Sequence, residues 1–444
     1  MRTRTLAVFG VLAVAGLFVA SGSAAGAATP TSGLWYFDTF HVQAAHDAGW
    51  TGKGVTVAVL DGQIDPVVPT LAGANLVVEP SDCQNAAGVT YAATSTTQLA
   101  FHATNTVSLL VGSGAAYPGQ TGVKGIAPGA RVLFYMTAPA KKIGSPAASE
   151  CTKPNSPNFD ANAEAINSAV KAGAQIISVS LGGHNSPALS LALANAEHRG
   201  VIVLGALNNT KGQAFTSGES PALNNGVVSV QAINSKGRLQ TSEDSANIDY
   251  ATDVVGPGVG ILTQGSDRAT GSFKTQGIGA GTSFATPVVA GFLALVKQKY
   301  PNATGNQLIQ SLITNTGVAD HPVEHSNDGY GYGAASVTHM LSVDPSKYPD
   351  KNPLIATGPN TIAPPASAIA NPPSLKDYIQ EISGGALSSP GVGTSVASQP
   401  PVGLFISIGV IVLVVILGLV ALIIGLAVRR TRRDGQQATA RGKG

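Results

Sequence analysis

Three apolar runs, spaced by helix-like stretches, constrain this chain more than any other feature. Gly54-Val55-Thr56-Val57-Ala58-Val59-Leu60, Ala174-Gln175-Ile176-Ile177-Ser178-Val179-Ser180 and Val201-Ile202-Val203-Leu204 are continuous and rich in β-branched residues. This is the pattern of strands buried in a parallel sheet. Residues 161–173 and 190–200 read as helices that lead into the second and third runs. Strand and helix in this rhythm predict an α/β fold with a parallel sheet. Ligands in such sheets sit beyond the carboxyl ends of the strands, so the residues that follow each run are the candidates for chemistry.

The ends of the chain have a different character. Arg2 and Arg4, an apolar stretch over 6–20 and small residues to Ala28 read as a secretory signal. Ala25-Gly26-Ala27 offers a cleavage site, and an uncleaved anchor is the other reading. Residues 402–428 carry no charge, with Ser407 as their one clearly polar member. About 20 such residues cross a bilayer. Arg429, Arg430, Arg432 and Arg433 follow at once, and positive residues stay on the cytoplasmic side. The expected topology is a cell-membrane protein of single-pass type I. Its large domain is extracytoplasmic and its C-terminus cytoplasmic.

Charge excludes one class of partner. Only 11% of the 444 residues are Asp, Glu, Lys or Arg, and the net charge is +2. Eight of the 26 basic residues lie at the two ends. With these and Asp434 set aside, 18 basic residues face 23 acidic ones, a net −5. That is no footprint for a nucleic-acid backbone, and no nucleic acid is expected as a partner. No metal-loop motif is visible, and no cofactor or metal is called for. Cys83 and Cys151 are the only cysteines, and an oxidising compartment favours a disulfide over two free thiols. From Pro345 to Pro401 prolines recur among Ser, Ala and Gly. This reads as a spacer that buries nothing, broken by a possible helical turn near Leu375–Ile382.

The residues after the runs supply a carboxylate, amide donors and a serine. Asp61 follows the first run, Leu181-Gly182-Gly183 the second, and Asn208 and Asn209 the third. Gly281-Thr282-Ser283 opens an apolar helix, with Pro287 expected in its first turn. A Ser at a helix start is usually only a cap. Together with a histidine between Asp61 and Ser283, however, these are the parts of a Ser-His-Asp hydrolase in the order Asp, His, Ser.

Here the chain resembles the subtilisin-like serine proteases. Gly281-Thr282-Ser283-Phe284-Ala285-Thr286-Pro287 is similar to the family's nucleophile motif, with Phe where Met is common. Val57-Ala58-Val59-Leu60-Asp61, Gly125-Ile126-Ala127-Pro128, Ser180-Leu181-Gly182-Gly183, Gly256-Pro257-Gly258 and Gly329-Tyr330-Gly331-Tyr332-Gly333 resemble further family motifs in order. The resemblance implies a subtilisin-like three-layer fold with a mostly parallel central sheet, plus one C-terminal transmembrane helix from the apolar segment. It implies Ser283 as nucleophile, His102 as base, Asp61 as its orienting partner, and Ser180, Leu181 and Gly182 as substrate-binding residues. Asn209 aligns with the oxyanion amide, with Asn208 one place before it as the alternative. His102 heads a small-residue helical pattern; the other seven histidines read as surface or helix residues.

Several neighbours depart from the family. Gly62-Gln63 stands where Ser or Thr and Gly are usual, so a hydroxyl beside Asp61 is missing. Ala103 and Asn105 replace a Gly and a second His, and Asn208 replaces a Gly that Asn's tolerance of left-handed backbone would accommodate. The order of segments looks like the mycosins, membrane-anchored proteases of actinobacterial type VII secretion systems. The expected plan is a signal peptide (1–28), an N-terminal extension wrapping onto the domain (29–53), a protease domain (54–343), a Pro-rich linker (344–401), a membrane helix (402–428) and a basic tail (429–444). Two readings follow. One is a serine endopeptidase acting on polypeptides exported by such a system. The other is a weakly active or inactive scaffold beside secretion membrane components.

Overall fold

The first apolar run forms β1 (Thr56–Asp61), an interior strand of a seven-stranded sheet. In chain order follow β2 (Leu76–Val78), β3 (Arg131–Met136), β4 (Ile176–Val179), β5 (Ile202–Ala206) and β6 (Val228–Ile233). After a two-residue antiparallel pair, β7 (Thr241–Ser242) and β8 (Ser245–Ala246), the sheet closes with β9 (Val254–Pro257). The spatial order is β2-β3-β1-β4-β5-β6-β9, and each neighbouring pair is parallel. This computed structural model describes residues 33–139, 151–154, 156–209, 221–242, 245–265, 273–358 and 363–383. The segments expected as signal peptide, membrane helix and basic tail lie outside them. Among the described residues no helix is long and apolar enough to cross a membrane.

The alternation of strand side chains explains why the runs carry no polar face. Val57, Val59, Val132, Phe134, Ile176 and Ile202 pack with α3 (Phe101–Val111) and α6 (Thr282–Lys299). Their neighbours Ala58, Leu60, Leu133, Ile177, Val179 and Val203 pack on the opposite face with α4 (Ala161–Lys171) and α5 (Pro187–His198). Both faces are buried, so the buried strand positions of these runs are apolar, with the small Ser178 of β4 as the exception. α4 begins where Asp160 Oδ1 accepts the Ala163 N–H at 3.0 Å. α5 begins three residues before the predicted start, because Ser186 caps the Leu189 N–H and Pro187 suits the first helical position. α6 lies close to the Gly125-Ile126-Ala127-Pro128 turn. A Cβ at Gly291 would stand 2.5 Å from that of Ile126, so a larger residue would force the two apart.

The chain before β1 is part of the core. α1 (Trp35–Thr39) buries Trp35, Tyr36 and Phe37, and α2 (Val42–Asp47) follows. Trp35 Nε1 donates to Val259 O at 3.0 Å, and Tyr36 Oη to Lys124 O at 2.6 Å. Val259 starts β10 (Val259–Gln264), which forms an antiparallel ribbon with β11 (Gln276–Ala280). α7 (Gly305–Thr314) and α8 (Val337–Ser342) complete the α6 side through Leu308, Leu312, Val337 and Met340.

One expectation needs correction. Residues 345–383 were expected to bury nothing, yet their described part is packed. α9 (Ala366–Ala370) and α10 (Leu375–Ser383) place Ala368, Ile369 and Tyr378 against Ala194 of α5. The buried Asn352 donates to Gly226 O at 2.8 Å. Proline-rich composition favours extended chain, but it does not prevent isolated apolar side chains from docking on a helix. Cys83 and Cys151 are joined by a disulfide, with Cα atoms 4.5 Å apart. The antiparallel Gln84–Thr152 bridge beside it carries backbone bonds of 2.9 and 3.0 Å.

Near the end of α5 a carboxylate is stranded. Glu197 is 9% exposed and neither carboxylate oxygen has a hydrogen-bond partner among the described residues. Burial pushes its pKa well above the ordinary 4.5. The folded state therefore keeps a proton that the unfolded chain loses. The stability this contributes is complete below the unfolded pKa and is lost as pH rises toward the folded one. Glu197→Gln is expected to raise Tm at neutral pH by roughly 2–4 °C, the shift about 1 kcal/mol gives in a domain of a few hundred residues. Thermal unfolding at pH 4 and pH 7.5 checks this; the gain should vanish at the lower pH.

Candidate active site

β1 lies between β3 and β4, so the chain leaves it to one side first and to the other later. Such a switch point opens a crevice at the carboxyl ends of the strands. Asp61 is the last residue of β1 and is fully buried there. Its Oδ1 accepts from the Gly62 N–H at 2.6 Å and lies 2.7 Å from His102 Nδ1. Its Oδ2 accepts from Thr106 Oγ1 at 2.8 Å. All eight histidines are described, and His102 alone is in contact with Asp61.

Both the imidazole and the hydroxyl come from α3. Residues four apart share one face of a helix, so His102 and Thr106 meet the same carboxylate. Thr106 supplies the hydroxyl that Gly62 lacks. The next residue back, Asn105, replaces the family's second His with a two-way amide clamp. Its Nδ2 donates to Gln264 O at 2.9 Å, and its Oδ1 accepts the Gln264 N–H at 2.8 Å. The helix that carries His102 is thereby tied to β10. Burial disfavours the His102 imidazolium, but the Asp61 charge and hydrogen bond outweigh it, so the pKa lies above the ordinary 6.5.

Ser283 is the second residue of α6. Gly281 precedes the helix in extended backbone (φ 167°), with no side chain to cap it. Thr282 N–H donates to Asn209 Oδ1 at 2.8 Å, and Phe284 N–H to Gly281 O at 3.0 Å. Among the described residues no acceptor takes the Ser283 N–H, which leaves it as a donor at the positive end of the helix. Pro287 was expected in the first turn but is the sixth helical residue. Its missing N–H therefore frees the Ser283 carbonyl, four residues back. Ser180 Oγ, at 2.9 Å, fills that vacancy.

The two asparagines differ in how they are held. Asn209 accepts through Oδ1, so Nδ2 is the donor end of its amide at the crevice. The Asn208 carbonyl instead accepts from Asn247 Nδ2 at 2.6 Å. An Asn in place of a Gly at 208 suggests left-handed backbone there. His41, however, is the one described non-glycine residue with positive φ, so Asn208 adopts no such conformation. His102, Ser180, Gly182, Ser283 and both asparagines, Asn208 and Asn209, line a cavity of about 190 Å³. Of the expected substrate-binding residues, Leu181 packs beside the α4–α5 core and does not line it.

A model of the subtilase family, peptidase S8, matches residues 52–333. A thermostable alkaline protease of Halalkalibacterium halodurans is 30% identical over 208 residues, 46% of this chain and 48% of that protein. The chain thus spans about half the length of this curated relative. Among solved structures, MycP1 of Mycobacterium smegmatis is 24% identical with a TM-score of 0.51, over 73% of this chain and 87% of that one. The MycP3 protease from the type VII (ESX-3) secretion system is 22% identical with a TM-score of 0.51, over 71% and 90%. Fervidolysin of Fervidobacterium pennivorans, a keratinolytic enzyme related to subtilisin, is 22% identical with a TM-score of 0.51, over 73% and 46%. At these identities the likeness to solved structures is one of fold.

Proposed function

Since the chain belongs to the subtilase family, we propose that it is a membrane-anchored, extracytoplasmic serine endopeptidase that processes proteins exported by a type VII secretion system. The observation that carries the catalytic part is the Asp61–His102 contact beside a cavity that Ser283 and Asn209 share. His102 Nε2 takes the Ser283 Oγ proton as Oγ attacks the peptide carbonyl. Asp61 holds Nδ1–H and stabilises the imidazolium that forms. The Ser283 N–H and Asn209 Nδ2 donate to the oxyanion. The imidazolium then gives its proton to the leaving amine, and water hydrolyses the acyl-enzyme by the same route in reverse.

The secretion role is supported by the order of segments. A signal-like N-terminus, a subtilase domain, a proline-rich stretch, an apolar 27-residue segment and a basic tail follow one another. The fold itself is shared with MycP1 and MycP3. Exported polypeptides are the substrates, and secretion membrane components the neighbours.

The oxyanion assignment gives the test. Asn209→Ala should slow cleavage of a peptide substrate by about 10²–10³ in kcat, the usual loss of one oxyanion donor. Asn208→Ala should change it far less. Steady-state kinetics on the full chain in detergent read both. The reverse order of effects would move the donor to Asn208, and no effect at either position would leave the cavity without its expected chemistry.

A further inference from the structure

The Asp61 carboxylate closes a ring with α3. One oxygen meets His102, the other meets Thr106, and a single helical turn joins the two. We infer that Thr106 is a positioning residue of this site. Its hydroxyl fixes the plane of the Asp61 carboxylate and draws negative charge away from it, and so sets the orientation and basicity of His102. The inference rests on the catalytic reading above.

Gly62 shows why such a group is required. The residue after Asp61 gives its backbone N–H to Oδ1 but has no side chain for Oδ2. Asp61 is fully buried, so without Thr106 that oxygen has no other hydrogen-bond donor among the described residues. A buried acceptor left unpaired costs about 1–3 kcal/mol, more when charged. Rotation of the carboxylate toward another partner relieves that cost, and any such rotation moves the acceptor that orients His102.

The hydroxyl has one proton and two acceptors in reach. Asp61 Oδ2 lies at 2.8 Å and Ala103 O, within α3, at 3.0 Å. A bond to the helix alone would make Thr106 a local structural residue. The carboxylate is charged and nearer, and charge-assisted bonds are the stronger. The surroundings of His102 are simple enough to read the difference. Asp61 of β1 is the charged group against it, and from α6 the Phe284 ring lies near-parallel with its centroid 6.2 Å away and carries no charge.

The test uses Thr106→Val and Thr106→Ser in the full chain, with histidines labelled with nitrogen-15. Two quantities are read: the His102 titration midpoint and the rate at which a phosphonofluoridate labels Ser283. Thr106→Val keeps the shape and removes the donor. The undispersed carboxylate charge then favours the imidazolium, so the midpoint should rise by roughly half a pH unit. Labelling at neutral pH should slow by about tenfold, the worth of one hydrogen bond to a charged group. Thr106→Ser should restore both. A midpoint in Thr106→Val that is unchanged or lower overturns the inference, whatever the stability of the variant. Should Thr106→Val not fold, Thr106→Ala removes the same donor with less bulk and is read in the same way. If the unaltered chain is not labelled at all, the catalytic reading fails, while the His102 titration still decides the role of Thr106.

Discussion

Ser283→Ala is expected to lower kcat for peptide cleavage by about 10⁶, and His102→Ala to do nearly the same. Attack and proton removal are one event, so losing either partner forfeits the whole of it. The double variant should be no slower than either single one. Residual cleavage, about 10³–10⁴ over water, would come from the donors at the α6 start and Asn209, which neither change touches. Single-turnover cleavage of a peptide by the full chain measures this. Additive losses would mean that the two side chains act separately.

Asp61→Asn is expected to cost about 10⁴ in kcat. Its pH dependence carries as much information as its rate. With neutral His102 as the proposed base, activity in the unaltered chain should rise with pH through a value above 6.5. The Asp61 charge and hydrogen bond are what hold it there, against burial that works the other way. Without the charge, burial dominates and the acid limb should fall below 6.5. A pH profile of kcat/KM checks the direction; a limb that stays above 6.5 would assign the shift to some other group.

The sequence makes the two ends of the candidate site legible because each is a local event. Asp61 terminates a strand buried on both faces, and Ser283 opens a long apolar helix. Each can be read from a few consecutive residues. Thr106 and Asn105 cannot, because their partners are far away in the chain. Asn105 pairs with the backbone of Gln264, 159 residues later, and Thr106 with Asp61, 45 residues earlier. The position of Thr106, four residues after His102, was the available signal. Two departures from the family, the hydroxyl missing after Asp61 and the Asn105 in place of a second His, are met by a hydroxyl and an amide delivered from α3.

The C-terminal stretch was misread for a related reason. Composition describes what a chain prefers when nothing touches it, and the described part of residues 345–383 is touched. Tyr378 is buried at α5, and Asn225 Nδ2 donates to Ala356 O and Pro364 O at 3.1 and 3.0 Å. These contacts belong to surfaces that α5 and the segment before β6 present, which no local pattern reveals. Pro287 carries the same lesson on a smaller scale. Its cost is met by Ser180, 103 residues before Ser283 in the chain.

The central claim is that Asp61, His102 and Ser283 form one activated nucleophile. An isolated serine hydroxyl is a poor nucleophile at neutral pH and needs an adjacent base. Mass spectrometry of the full chain after treatment with a phosphonofluoridate tests this most directly. The expected result is a single adduct, on Ser283, that nearly disappears in His102→Ala. A folded chain that gains no adduct, or gains one elsewhere with Ser283 unmodified, would contradict it.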